Sequence, residues 1–237
     1  MAEVFMSKIF QFSTLGALMA GHVQGECHLR ELLDSHAFGL GCSEAINGEL
    51  TIFQGDVWEA TAGKQPHPLD KHCVPFVQIT TFHPEKTFGV RHITQDNAAL
   101  LLREKISVQN LFLAVCIEAQ FNEMVIRRPQ PTADTERDII QMADTQQEDR
   151  LLNITGRLVG FWTPELYGRI SAAGFHFHFI DEKQKVSGHV LSFRAEEARI
   201  SCEEKQTIEI THPDSQEYKN LTIDLSALDA IISGVEK

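Results

Sequence analysis

The chain has 237 residues, 43% of them hydrophobic, with 33 acidic against 21 basic residues and a formal net charge of −12. That length builds one large domain or two small ones, and the acidic balance argues against a nucleic acid partner, because affinity for a phosphate backbone comes from Lys and Arg. The same balance means that an anionic ligand must be drawn in by something local, such as a metal ion or an arginine. Five widely spaced cysteines with no C-x-x-C pair fit free thiols in a reducing compartment. No run of 18 apolar residues marks a membrane span, and the first 25 residues lack the charged and apolar regions of a signal peptide. The expected location is cytoplasmic.

In chain order, Ser13 reads as a helix N-cap, with Leu15, Leu18 and Met19 on one face and Gly21 as the stop. A second short amphipathic stretch covers 28–33, and strands are expected over 36–40 and 49–53. Residues 63–75 hold three prolines and read as a loop in which His67 and His72 are solvated. A strand follows over 77–82, then Pro84 and Gly89 as punctuation, then a helix over 94–105 burying Ala98, Leu101 and Leu102. Residues 110–127 are rich in apolar and β-branched residues and favour strand pairing. Residues 128–150 form the most polar stretch, and a linker or surface excursion there is the expected boundary between 1–130, a mixed sheet with helices, and 131–237, an antiparallel sheet. Short strand-like runs then recur at 155–162, 174–180, 188–193, 197–204 and 207–212. Pattern alone says only mixed α/β, and the expected fold class is α/β of the α+β type.

The chemistry lies in G-F-H-F-H-F-I, residues 174–180, whose alternation puts Phe175, Phe177 and Phe179 on one face of a strand and His176 and His178 on the other. The charged D-E-K-Q-K-V-S-G that follows makes a hairpin connection. With the turn centred between Lys183 and Gln184, His178 lies directly opposite His189, and three imidazoles converge on one point. Three neutral nitrogen ligands with an open position suit catalytic zinc or another first-row metal. An H-x-H pair alone is more often two surface histidines, but His189 in register, with an apolar opposite face, favours the metal. Glu182 completes H-x-H-x-x-x-E, the first half of a cupin motif, so a cupin-type metal-dependent oxygenase or isomerase is the rival reading. Glu182 falls in the turn, however, and no second cupin motif follows.

The segment 158–193, with its G-F-W-T-P run, H-x-H pair and G-H-V, resembles the signature region of the α-acetolactate decarboxylases. The similarity extends to Q-F-S-T-L-G-A-L-M-A-G at 11–21, G-L-G-C-S-E-A-I-N-G-E-L at 39–50 and V-P-F-V-Q-I-T-T-F-H-P-E-K-T-F at 74–88. The resemblance implies zinc (Zn2+) on His176, His178 and His189, Glu49 and Glu236 as active-site glutamates, and Arg127 as the arginine that meets substrate, with Arg128 the alternative. It also implies two sheet-centred domains, a homodimer formed by sheet continuation, and decarboxylation of a small hydroxy-keto acid, 2-acetolactate, to acetoin. Cys42 and Ser43 stand where the family usually has Thr-Phe, a change in the pocket wall. Spacing alone selects none of Glu49, Arg127 or Glu236.

Overall fold

Most of the longer strands follow runs rich in β-branched and aromatic residues, and the central ones, such as Ala37–Cys42, are buried on both faces. The computed structural model describes residues 8–69, 73–106, 109–131 and 145–236. The first sheet contains β1 (Lys8–Phe12), β3 (Ala37–Cys42), β4 (Glu49–Phe53), β5 (Asp56–Ala60), β6 (His67–Pro68), β8 (Phe76–Thr81) and β14 (Thr207–Thr211), in the order β14-β1-β8-β3-β4-β5-β6. It is mixed, because β14 runs parallel to β1 while the other neighbours are antiparallel. A small ladder pairs β2 (Cys27–His28) with β7 (Cys73–Val74).

The second sheet is antiparallel and holds β9 (Lys86–Thr94), β10 (Phe112–Arg128), β11 (Gln147–Thr163), β12 (Gly174–Asp181) and β13 (Ser187–Lys205). β10 pairs with both β11 and β13, so this sheet closes on itself. One face packs with α2 (Ala98–Arg103) into a core containing Leu113, Ile117, Phe177, Phe179 and Phe193. The opposite face meets the first sheet, where Ile9, Phe38 and Leu40 pack against Ala114, Val159 and Phe161.

The described helices are short, and none is long and apolar enough to cross a membrane. Thr14 rather than Ser13 caps α1 (Leu15–Met19), accepting from Ala17 N at 3.1 Å, and Ser13 takes a positive φ of 64°. The stretch at 28–33 forms a 3-10 turn over Leu29–Leu32. Residues expected as loop or punctuation supply β6, β7 and β9, because ladder pairing with β5, β2 and β13 overrides weak local preference. His72 lies outside the described residues, whereas His67 is half-buried beside Glu59. Two expected runs, 188–193 and 197–204, are one continuous strand, β13.

The strands do not sort at residue 130. β9 and β10 precede that position yet pair in the same sheet as β11–β13, and β14 returns to the first sheet.

Candidate metal centre

The imidazoles stand on the hairpin of β12 and β13. Asp181 builds its turn, accepting from Lys183 N at 3.2 Å, Lys185 N at 2.6 Å and Val186 N at 2.7 Å. The resulting register pairs Ile180 with Ser187, Phe179 with Gly188 and His178 with His189, as the turn position predicts. His176 and His178 face away from the phenylalanine core, opposite Phe161 and Val159 of β11.

Two local devices bring the rings close. Along β13 the ladder with β10 shifts, pairing Val125 with Ser192 but Ile126 with Val190, so that Leu191 is an extra residue. Val190 and Phe193, three apart, therefore both enter the core, and His189 falls on the other face beside its cross-strand partner Arg127. Gly160 supplies the second device: a Cβ there would lie 2.0 Å from the carbonyl oxygen of His176. Only glycine lets β12 curl this tightly onto β11.

All three rings are buried, and one ligand nitrogen from each lies within 4.8 Å of the others. His176 Nε2 is 3.2 Å from His189 Nδ1. His178 Nδ1 donates to the Leu50 carbonyl at 2.8 Å, which fixes the proton on Nδ1 and leaves the lone pair on Nε2. That buried Nε2 makes no hydrogen bond and lies 3.4 Å from Glu49 Oε2. Burial pushes the His176 pKa down to about 3, with Arg127 adding to the effect. The His178 pKa is lowered well below its usual value by burial, then by His176 and Arg127. Neutral rings are what a divalent ion requires, so these residues fit a metal with nitrogen ligands.

Glu49 and Arg127 sit at this point, both 7% exposed. Glu49 opens β4 opposite Cys42, and its carboxyl reaches across from the first sheet to the hairpin of the second. The buried Nε of Arg127 has no hydrogen-bond partner. Arg128 alternates to the other face, where it binds Asp149 at 2.5 and 2.9 Å and the carbonyl of Lys64 at 2.9 Å. Glu182 is exposed in the turn, apart from the three-histidine cluster. Glu236 ends α3 (Leu225–Glu236), but its side chain lies outside the described residues. The same helix brings Asp229 and Ile232 to a cleft of about 920 Å³ whose lining includes His176, His189, Phe175 and Arg169. Residues missed by the sequence reading are the Leu50 carbonyl, which no side-chain pattern reveals, and the cleft wall at 165–173.

Buried neutral imidazoles lie beside a carboxyl and a guanidinium, next to an open cleft, on a two-sheet scaffold, and the three rings could hold a metal ion. A profile described as alpha-acetolactate decarboxylase matches residues 9–225. The alpha-acetolactate decarboxylase of Lactococcus lactis subsp. cremoris is 34% identical over 198 residues, 81% of each chain. That of Bacillus licheniformis is 27% identical over 98% of this chain and 92% of its own. Among solved structures, the Bacillus subtilis alpha-acetolactate decarboxylase superposes with a TM-score of 0.91 at 26% identity, covering 97% of this chain and 99% of that one. A Staphylococcus aureus protein of unknown function, described as similar to alpha-acetolactate decarboxylase, also gives 0.91, at 30% identity over 97% and 100%. This chain belongs to the alpha-acetolactate decarboxylase family, whose members are carboxy-lyases.

Proposed function

We propose that this chain is a zinc-dependent decarboxylase that converts 2-acetolactate (2-hydroxy-2-methyl-3-oxobutanoate) to acetoin and carbon dioxide. The observation that carries the reading is the buried convergence of His176, His178 and His189 next to Glu49 and Arg127. His176, His178 and His189 would hold the ion. The chemistry supplied by bound zinc is Lewis-acid stabilisation of the negative charge that collects on the ketone oxygen.

The protein groups do the rest. Arg127, with a buried donor to spare, binds and orients the substrate carboxylate against the net acidic field. Breaking the bond to that carboxyl carbon releases carbon dioxide and leaves the electron pair delocalised toward the former ketone oxygen. The carboxyl of Glu49 then delivers a proton to the carbon that lost the carboxylate, which yields acetoin. Burial of Glu49 keeps bulk water from competing for this step and directs the proton to one face. Glu236 is a second candidate for proton delivery, carried by the helix that borders the cleft. The proposal includes a homodimer and a cytoplasmic location.

The cupin-type alternative needs Glu182 at the metal, and its exposure in the turn speaks against it. The test is acetoin formation from racemic acetolactate before and after exhaustive chelation. Activity should vanish on chelation and return with one zinc per chain, and His178→Ala should lose both metal and turnover. Full activity after complete metal removal contradicts the proposal.

A further inference from the structure

Three consecutive residues of β4 touch the imidazole hairpin. Glu49 Oε2 lies 3.4 Å from His178 Nε2, the Leu50 carbonyl accepts from His178 Nδ1 at 2.8 Å, and the hydroxyls of Thr51 and Ser187 are 3.0 Å apart. Alternation sets Glu49 and Thr51 on one face of β4, while Leu50 and Ile52 point into the core on the other side. Ser187 stands two residues before His189 on the regular part of β13. Thr51 and Ser187 have no solvent exposure, and they join the two sheets across 136 residues of sequence. A dry hydroxyl pair is sensitive to position, because neither group has water to turn to.

We infer that the Thr51–Ser187 pair is a positioning device for the metal centre, a reading that rests on the proposed role of the three histidines. It locks β4 against the start of β13. The Leu50 carbonyl then holds the Nδ1 proton of His178, and the Glu49 carboxyl stays beside Nε2. Neither hydroxyl contacts the reacting atoms, so the pair acts through Glu49 and His178.

Replacing both partners by apolar groups of similar shape leaves no orphaned hydroxyl and is close to neutral for folding. Thr51→Val with Ser187→Ala should therefore retain the melting temperature and bound zinc. Its kcat should nevertheless fall about tenfold with little change in KM, the loss of one well-placed hydrogen bond. Thr51→Ser should restore kcat. A second readout is the exchange of the His178 Nδ1 proton with solvent, followed by nitrogen-15 histidine spectra of the full-length chain, which should be about tenfold faster in the double variant. That proton is observed whether or not acetolactate is turned over, so it judges the pair separately from the proposed reaction. Exchange unchanged in the double variant overturns the inference, as does a kcat equal to the parent's or a Thr51→Ser variant as impaired as Thr51→Val.

Discussion

Arg127 and Arg128 are neighbours in sequence with opposite surroundings. Arg127 is the cross-strand partner of His189, while the Arg128 guanidinium is held by Asp149 and backbone carbonyls. Arg127→Lys should lower turnover by about a hundredfold with metal content intact, because an ammonium cannot reproduce the planar fork. Arg128→Lys should leave kcat near the parent value and lower thermal stability instead. Steady-state kinetics and melting curves separate the two, and the reverse pattern would reassign the roles. The histidines give a pH prediction for the metal-free chain. The ordinary His value is 6.5 and the folded value for His176 is about 3, so the unfolded state binds a proton that the folded state refuses. Stability therefore falls as pH drops from 6.5 toward 3 on account of this ring, and is unaffected by it above 6.5. Urea midpoints at several pH values should show this slope, and His176→Gln should reduce it. At this scale the convergence of the three imidazoles was legible because alternation and turn position are local rules. Glu49 was not, since its approach to His178 depends on how two sheets dock, and only family resemblance marked it.

β12 and β13 meet because backbone irregularities are placed where side chains must turn. The bulge at Leu191 moves His189 to the ligand face, and Gly160 lets the His176 carbonyl approach. Gly160→Ala would put a methyl 2.0 Å from that oxygen, so the ladder must shift. The expected cost is about 1–3 kcal/mol, with weakened zinc binding because His176 moves with its strand. Calorimetry and a chelator competition measure both, and parental zinc affinity would show that the ladder does not set the site. Such features are hard to read in sequence. A glycine in a strand pattern signals a bulge or a close approach without saying which, and a bulge of ordinary residues such as Leu191 leaves no mark. Hairpin β12–β13 was legible to the residue because its turn is short and charged. The 188–193 and 197–204 runs merged into one strand because pairing with β9 and β10 carries the intervening residues.

Across the whole molecule, the site exists only where the two sheets are held together, since Glu49 comes from one and the imidazoles from the other. Far from the metal centre, a second tie joins them. Lys205 of β13, fully buried, binds Glu203 at 2.7 Å and the carbonyl of Thr81 at 3.0 Å, and Glu203 accepts from His83 N at 2.7 Å. Lys205→Met removes the cation beside a buried carboxylate and should destabilise the chain by about 3–5 kcal/mol. Denaturant unfolding measures this, and a loss under about 1 kcal/mol would show that the tie is dispensable. The antiparallel sheet was legible from strand patterns, while the two-sheet architecture came only from the family resemblance. Membership of each sheet was not, because β9 and β14 are assigned by long-range pairing rather than by anything in their own residues.

The most direct measurement is anomalous diffraction from crystals of the zinc-loaded chain at the zinc edge. One strong peak is predicted, about 2.0–2.1 Å from a nitrogen of each of His176, His178 and His189, and absent in His178→Ala. A zinc ion bound elsewhere, or three rings that share no ion in a fully active protein, would contradict the account.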